Sequence, residues 1–212
     1  MTKRLQQLYN LIDTCAVFAD IGSDHGYITE AVLNGRKAKK VYATDVSIQS
    51  LAKAKELLYE NENVSFYHTD GFDNLPNDID TALIAGMGGE EICAILKKAK
   101  ILPKSLIQQP MKNAEKVRRL VIEMGYFIQK DYMFYDDDKF YEVIKCVDNG
   151  VIDHYSEIEY AFGRDNLTEK SDDFKLYITR RIDVLSSVLD NLSEDKKIQK
   201  NLEIKKLKEL IC

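Results

Sequence analysis

The sequence predicts an α/β fold: a mostly parallel sheet, finished by an antiparallel hairpin and followed by a helical pair. Three observations lead there. Short apolar runs alternate with helix-period segments from residue 1 to about 148, the pattern of βαβ units. Two β-rich stretches then follow one another with only Asp136-Asp137-Asp138-Lys139 between them. Beyond Gly150 the composition shifts to helix formers with apolar residues at heptad spacing. These shifts divide the chain into an α/β domain, 1–150, and a helical domain, 151–212.

The elements follow in order. An opening helix carries Leu5, Leu8, Leu11 and Ile12 on one face. The first strand, Ala16-Val17-Phe18-Ala19, ends at Asp20, and a helix runs from about Tyr27 to Asn34 and stops near Gly35. The second strand, Val41-Tyr42-Ala43-Thr44, ends at Asp45; Ser47 then caps a helix bearing Leu51, Ala54, Leu57 and Leu58. Val64 to His68 forms the third strand, with Asp70-Gly71 at its end, and Thr81 to Ala85 the fourth, followed by Gly86-Met87-Gly88-Gly89. A helix from about Glu90 to Lys98 leads to the fifth strand, Ser105 to Gln109, closed by Pro110. One more helix, Ala114 to Met124, ends at Gly125, and the hairpin of Tyr126–Tyr135 with Phe140–Val147 completes the sheet. Ile178, Ile182, Leu185, Leu189 and Leu192 then recur at spacings of four, three, four and three, an a/d seam of the coiled-coil type. After a polar turn around Ser193-Glu194-Asp195, the residues Ile198, Leu202, Ile204, Leu207 and Ile211 supply a second stripe. The expectation is an antiparallel coiled-coil hairpin.

Composition narrows the function. Apolar residues make up 45% of 212 residues, enough for a sizeable core, and the net charge of -5 excludes a globally basic nucleic-acid binder. A local basic patch stays open. The first residues lack the apolar core of a signal peptide, and no stretch approaches the roughly 20 apolar residues of a membrane span. Cys15, Cys93, Cys146 and Cys212 are far apart and form no C-x-x-C pair, the usage of free thiols in a reducing, cytoplasmic compartment. His25, His68 and His154 are equally scattered, so no metal site is expected.

The strand ends carry the chemistry, because an open parallel sheet binds ligands beyond the carboxyl ends of its strands. Asp20-Ile21-Gly22-Ser23-Asp24-His25-Gly26 follows the first strand. Gly22 permits a tight turn, and Gly26 lets the helix begin close to a ligand. Asp24 stands where a dinucleotide fingerprint would have its second glycine; a carboxylate there repels a pyrophosphate but suits the ammonium and sulfonium of S-adenosylmethionine. Asp20 points the same way. Asp45, 25 residues after Asp20, is positioned for ribose hydroxyls of either NAD or S-adenosylmethionine. Val46 adjoins it. Asp70 can accept an adenine amine beside Gly71. Each acid alone reads equally well as a helix N-cap; three at consecutive strand ends make that coincidence less attractive. Ala85-Gly86-Met87-Gly88-Gly89 lets backbone approach a flat base, or simply turns into a helix. A sheet closed by an antiparallel hairpin is typical of class I methyltransferases, whereas related dehydrogenases usually continue in parallel.

Taken together, Ala19-Asp20-Ile21-Gly22-Ser23-Asp24-His25-Gly26-Tyr27, Ile84-Ala85-Gly86-Met87-Gly88-Gly89 and Gln109-Pro110 resemble the bacterial tRNA (adenine-N1)-methyltransferases that modify position 22 of tRNA. The resemblance spans the chain, from the opening Arg4-Leu5 helix through Tyr141-Glu142-Val143-Ile144 to the C-terminal helices. It implies a Rossmann-like class I methyltransferase domain, S-adenosylmethionine as donor, tRNA as substrate and C-terminal helices that help grip it, with no obligate protein partner. The family commonly shows Leu-Gln-Pro-Asn where this chain has Gln108-Gln109-Pro110-Met111; Asn113 lies close by.

Methyl transfer is an in-line displacement, so positioning supplies much of the rate. The residues then divide as follows. Asp24 is the candidate catalytic group, meeting the charge or proton of the methylated base. Asp20, Gly22, Ser23, His25, Gly26, Asp45, Val46, Asp70, Gly71, Ala85 and Gly86 are the candidate cofactor site. Tyr27, Met87, Gly88, Gly89, Gln109 and Pro110 are the candidate base site. Lys37, Lys39, Lys40, Lys112, Lys116, Arg118 and Arg119 are candidates for phosphate contacts, or else belong to solvated faces. Glu90 and Glu91 sit in a first helical turn and are given no chemistry. Two rival readings remain: an NAD-dependent oxidoreductase, and a non-catalytic module that binds an adenosine ligand.

Overall fold

The computed structural model describes residues 1–189 and 192–212. One seven-stranded sheet organises it, formed by β1 (Cys15–Ile21), β2 (Ala38–Asp45), β3 (Val64–His68), β4 (Thr81–Met87), β5 (Ser105–Pro110), β6 (Phe127–Asp136) and β7 (Lys139–Val147). The spatial order is β3-β2-β1-β4-β5-β7-β6, parallel except for the β6–β7 hairpin, which joins β5 through β7. The order reverses between β1 and β4, so the switch point lies at the exits of those two strands.

The helices are α1 (Lys3–Leu11), α2 (Tyr27–Asn34), α3 (Ile48–Leu57), α4 (Gly89–Lys98) and α5 (Ala114–Glu123), then α6 (Glu157–Phe162), α7 (Arg164–Glu169), α8 (Asp172–Ser187) and α9 (Glu194–Ile211). Ser47 caps α3 as expected, its hydroxyl accepting the Ser50 N–H. Central strands bury both faces, which explains why β1 reads as a continuous apolar run. Val17, Ala19 and Ile21 pack with Ile92 and Leu96 of α4 and Val117 and Val121 of α5. Phe18 faces the other way, toward Leu8 of α1 and Ile28 and Val32 of α2. The hairpin turn is two residues long, and Asp137 and Asp138 both have positive φ (47° and 58°), the twist that antiparallel pairing favours.

Two features of the C-terminal region escaped the sequence reading. Helices α6 and α7 are only six residues each, too short for a period to show. Side chains from the segment before α6, from α7 and from the start of α8 complete the outer edge of β6, which would otherwise leave N–H groups unpaired. Asp153, Asp165, Asn166 and Asp173 accept from the N–H groups of Ile128, Asp131, Met133 and Tyr135, at 2.9, 2.9, 2.9 and 3.0 Å. Behind this edge Arg118, fully buried, donates to Asp131 (2.9 Å), Glu142 (2.7 Å) and the Tyr160 carbonyl (3.1 Å). That cluster ties α5, both hairpin strands and α6 together. Helices α8 and α9 run antiparallel, with Lys170 bonded to the Cys212 carbonyl and Arg181 3.3 Å from Glu203. Ile178 and Leu207 are buried with Phe162, Phe174 and Met133. The second stripe departs from expectation, since Ile198 and Leu202 stay 67% and 54% exposed. The first seam also outruns its helix, because α8 stops at Ser187, short of Leu189 and Leu192.

Candidate functional site

A cleft of about 530 Å³ opens at the carboxyl ends of β1 to β4, where the strand order reverses. It gathers Asp20, Gly22, Ser23, Asp24, His25 and Tyr27 from the first loop, Asp45 and Val46 from β2, Asp70 and Gly71 after β3, and Ala85, Gly86 and Met87 from β4. These residues span more than sixty positions of sequence; the parallel register alone brings them together.

The first loop is pinned before any ligand arrives. The N–H groups of Gly22 and Ser23 both donate to the Thr44 carbonyl of β2, at 2.9 and 2.7 Å. Gly22 has φ +76°, a conformation that residues with a Cβ rarely adopt, and a Cβ there would have to displace the Met87 methyl, 2.3 Å away. Asp20 is 5% exposed and accepts the Thr29 hydroxyl at 2.8 Å. Burial pushes its carboxyl up to about 6, against the opposing hydrogen bonds from Thr29. Ser23 Oγ is buried without a hydrogen-bond partner, a donor and acceptor left aimed at nothing within the described protein.

Asp45 accepts the Asp24 N–H at 3.0 Å on one oxygen and the Ser47 N–H at 2.7 Å on the other, leaving a lone pair on each. Asp24 projects toward solvent with φ +47°, takes the Ser50 hydroxyl at 3.3 Å and lies 2.8 Å from His25 Nδ1. Lys53 Nζ stands 3.1 Å from His25 Nε2. An ammonium only donates, so Nε2 accepts and the ring's proton sits on Nδ1, toward Asp24. The imidazole is stacked nearly parallel to Tyr27, with an interplanar angle of 2° and centroids 5.7 Å apart, and Tyr27 is 52% exposed at the rim. Asp70 is less free than the sequence suggested, since Lys98 of α4 lies 3.0 Å from one oxygen. A Cβ on Gly71, whose φ is +64°, would fall 2.8 Å from Ile95.

Several candidates lie outside the cleft. Gly26 opens α2 and abuts Ala54, where an added Cβ would come within 3.0 Å; it serves helix packing. Gly89 lies against the Lys112 and Asn113 carbonyls, so its role is the close approach of two backbones. Gly88 stands beside Lys112, and Pro110 ends β5. Gln109 is fully buried and reaches the cleft only through Arg4, whose Nε donates to its Oε1 at 2.7 Å. Asn113 is held by Glu90 at 2.7 and 2.9 Å and does not supply an asparagine to the cleft.

The candidate phosphate contacts do not form one set: Arg118 is buried, Lys112, Lys116 and Arg119 lie at or beside α5, and Lys37, Lys39 and Lys40 stand at the start of β2. Arg118 is in the buried network above, Arg119 meets Glu115 and Glu157, and Lys116 meets Glu90. Lys37 donates to the Tyr9 and Ile12 carbonyls, and Lys40 lies over the Tyr42 ring. The start of β2 is the end of the sheet opposite the cleft. Sequence reasoning missed the α1 contribution, Thr2, Arg4, Leu5 and Leu8, as well as Thr69, Glu91 and Ile95. Glu91 reads in the sequence as a first-turn dipole partner, and α1 precedes the first strand, so no strand end marks its residues as ligand-facing. No cluster of metal-ligating side chains occurs among the described residues, nor a helix long and apolar enough to cross a membrane.

Comparison with known proteins fits this geometry. Residues 1–144 match the family described as a methyltransferase domain. A putative tRNA methyltransferase of Mycoplasma pneumoniae is 35% identical over 126 residues, 57% of this chain and 59% of the relative. The tRNA (adenine(22)-N(1))-methyltransferase of Bacillus subtilis is 35% identical over 152 residues, 68% of this chain and 63% of the relative. The chain thus spans about three fifths of the length of these two relatives. Among solved structures, M. capricolum TrmK in complex with S-adenosyl-homocysteine superposes with a TM-score of 0.88 at 25% identity, covering 100% of this chain and 97% of that one.

Proposed function

Because the chain belongs to the methyltransferase-domain family, we propose that it transfers a methyl group from S-adenosylmethionine to N1 of an adenine in tRNA, at position 22. The site named for the B. subtilis relative and the cofactor product held by the M. capricolum protein support this reading. The observation that carries it is the cleft itself: acids from three successive strand ends around one buried, unpartnered hydroxyl.

The donor set fits S-adenosylmethionine. Its ammonium suits Asp20, its ribose hydroxyls the free lone pairs of Asp45, and its adenine the space beside Asp70 and Gly71, with Ser23 supplying a further polar contact. Val46, Ala85 and Gly86 complete the cofactor walls. When bound, the cofactor supplies an electrophilic methyl group on a sulfonium. A pyrophosphate would instead face Asp20, Asp24, Asp45, Asp70 and Glu91 with only Arg4 to neutralise it, which disfavours the dinucleotide alternative.

The protein's work is then alignment. Adenine N1 carries an in-plane lone pair and needs no prior deprotonation, but it lies on the pairing edge, so the base must leave its stack. Tyr27 and Met87 form the walls against which it packs. Methylation leaves the ring cationic, and the Asp24–His25 pair, exposed at the rim, meets that charge or accepts the amine proton. Helix α9, with six lysines against four acids, is assigned to the tRNA backbone within a C-terminal region whose eleven basic and thirteen acidic residues otherwise give no net attraction. The same reading assigns the protein to the cytoplasm, in keeping with its free cysteines.

Labelled methyl transfer to unmodified tRNA transcripts, with adenine or guanine at position 22, tests the proposal. Label recovered as 1-methyladenosine from the adenine transcript alone is the expected result. Binding of S-adenosylmethionine with no incorporation would point to a different acceptor or to a non-catalytic module.

A further inference from the structure

We propose that Arg4 is the oxyanion receptor of the cleft, taking either the methionine carboxylate of the donor or a phosphodiester of the incoming nucleotide. The inference rests on the functional reading above and gives a role to a residue that the sequence places in the opening helix but assigns to no site.

Arg4 is half-buried on α1 and is the only lysine or arginine lining the cleft among its described residues. Its surroundings fix the side chain without neutralising it. Nε donates to Gln109 Oε1 at 2.7 Å and Tyr141 lies under the guanidinium with its centroid 5.7 Å away, while the backbone N–H, bonded to Asp136 at 3.1 Å, holds the start of α1. The Nη2 group stands 3.0 Å from where a Cβ on Gly86 would be, over the bulge of β4. No carboxylate among the described residues comes within ion-pair distance of the guanidinium, although the same cleft is rich in acids. Arg118, Arg119, Arg164 and Arg181, by contrast, each meet at least one, while Arg36 and Arg180, which meet none, are exposed to water. Burial lowers the Arg4 pKa, the direction expected of a cation held away from water with no counter-ion.

A desolvated charge without a partner is unfavourable, and a ligand that brings the opposite charge relieves it. The two Nη groups form the planar fork that recognises carboxylate or phosphate. Gln109 holds the fork from behind, which explains a fully buried glutamine at a strand end that never reaches the cleft itself.

The test compares wild type with Arg4→Gln and Arg4→Lys by calorimetry, using S-adenosylmethionine and decarboxylated S-adenosylmethionine. Thermal melting and the charge-conserving Arg4→Lys variant control for folding. If the carboxylate is the ligand, wild type prefers the intact donor by about tenfold and R4Q binds both alike. If the phosphodiester is, R4Q keeps its donor Kd while KM for tRNA rises about tenfold and the salt slope falls by about one. R4Q with wild-type donor discrimination, tRNA KM and salt slope overturns the assignment. Wild type that binds neither donor overturns the functional reading instead, a separable result.

Discussion

Replacing Asp20 with asparagine removes a charge that burial disfavours and that ligand binding requires. In the folded chain the carboxyl is held up at about 6, against an ordinary value of 3.8. The folded state therefore binds its proton more tightly than the unfolded one. Stability from that protonation is fully present below about pH 4 and is lost as pH rises through about 6. Roughly two pKa units at 1.36 kcal/mol each amount to about 3 kcal/mol. Asparagine keeps an oxygen for the Thr29 hydroxyl but gives up a charge-assisted hydrogen bond, about 1 kcal/mol or somewhat more. D20N is thus expected to be more stable at pH 7.5 by about 1–2 kcal/mol, a melting temperature about 2–8 °C higher for a chain of this size. Binding moves the opposite way. A cationic ligand selects the ionised form, so wild-type Kd for S-adenosylmethionine should be roughly tenfold weaker at pH 5 than at pH 8. D20N should bind about a hundredfold more weakly and show no such pH dependence near 6. Scanning fluorimetry and calorimetry at the two pH values measure both. A D20N protein that melts below wild type, or a wild-type Kd flat between pH 5 and pH 8, would refute the reasoning.

Three further outcomes follow from the same geometry. Arg118→Met leaves Asp131 buried without its cation, so urea denaturation should register a loss of about 3–5 kcal/mol; under 1 kcal/mol would mean the network contributes little. Gly71→Ala combines a φ of +64° with a 2.8 Å approach to Ile95, and should cost about 1–2 kcal/mol of stability and weaken donor binding about tenfold. Unchanged donor affinity would separate that loop from the adenine. Tyr27→Ala removes an exposed ring from the rim and should lower kcat/KM for tRNA about tenfold at constant donor Kd. A fall in donor affinity instead would reassign the ring to the cofactor.

Much of the fold could be read from local pattern, because each parallel strand is buried on both faces and its apolar run has few other uses. Helix α2 and strand β3 coincide with their predicted bounds, Tyr27–Asn34 and Val64–His68. Errors gather where a local pattern has two uses. Strand β4 continues through Gly86 to Met87 as a bulge, where the sequence suggested a loop. Ile198 and Leu202 continue an apolar stripe but face solvent, because α9 meets its neighbours through Ile204 and Leu207.

The candidate site divides along the same line. Asp20, Asp45 and Asp70 were legible by themselves, because a strand that ends in an acid delivers it to the one end of a parallel sheet where ligands bind. What became of each carboxylate was not legible. Burial and Thr29 set Asp20 apart, two backbone N–H groups orient Asp45, and Lys98 engages Asp70. A run of basic residues likewise says nothing of its partners: Arg118 and Arg119 are adjacent in sequence, yet a helix turns them about 100° apart, one into a buried network and the other to the surface. Sequence alone determined the order of the strands' residues, the chemistry at their ends and the family pattern they form. Tertiary structure decided which charges are paired and which are left for a ligand, since pairing depends on distances between elements far apart in the chain; Arg4, near the N-terminus and more than a hundred residues from Gln109, is the clearest instance.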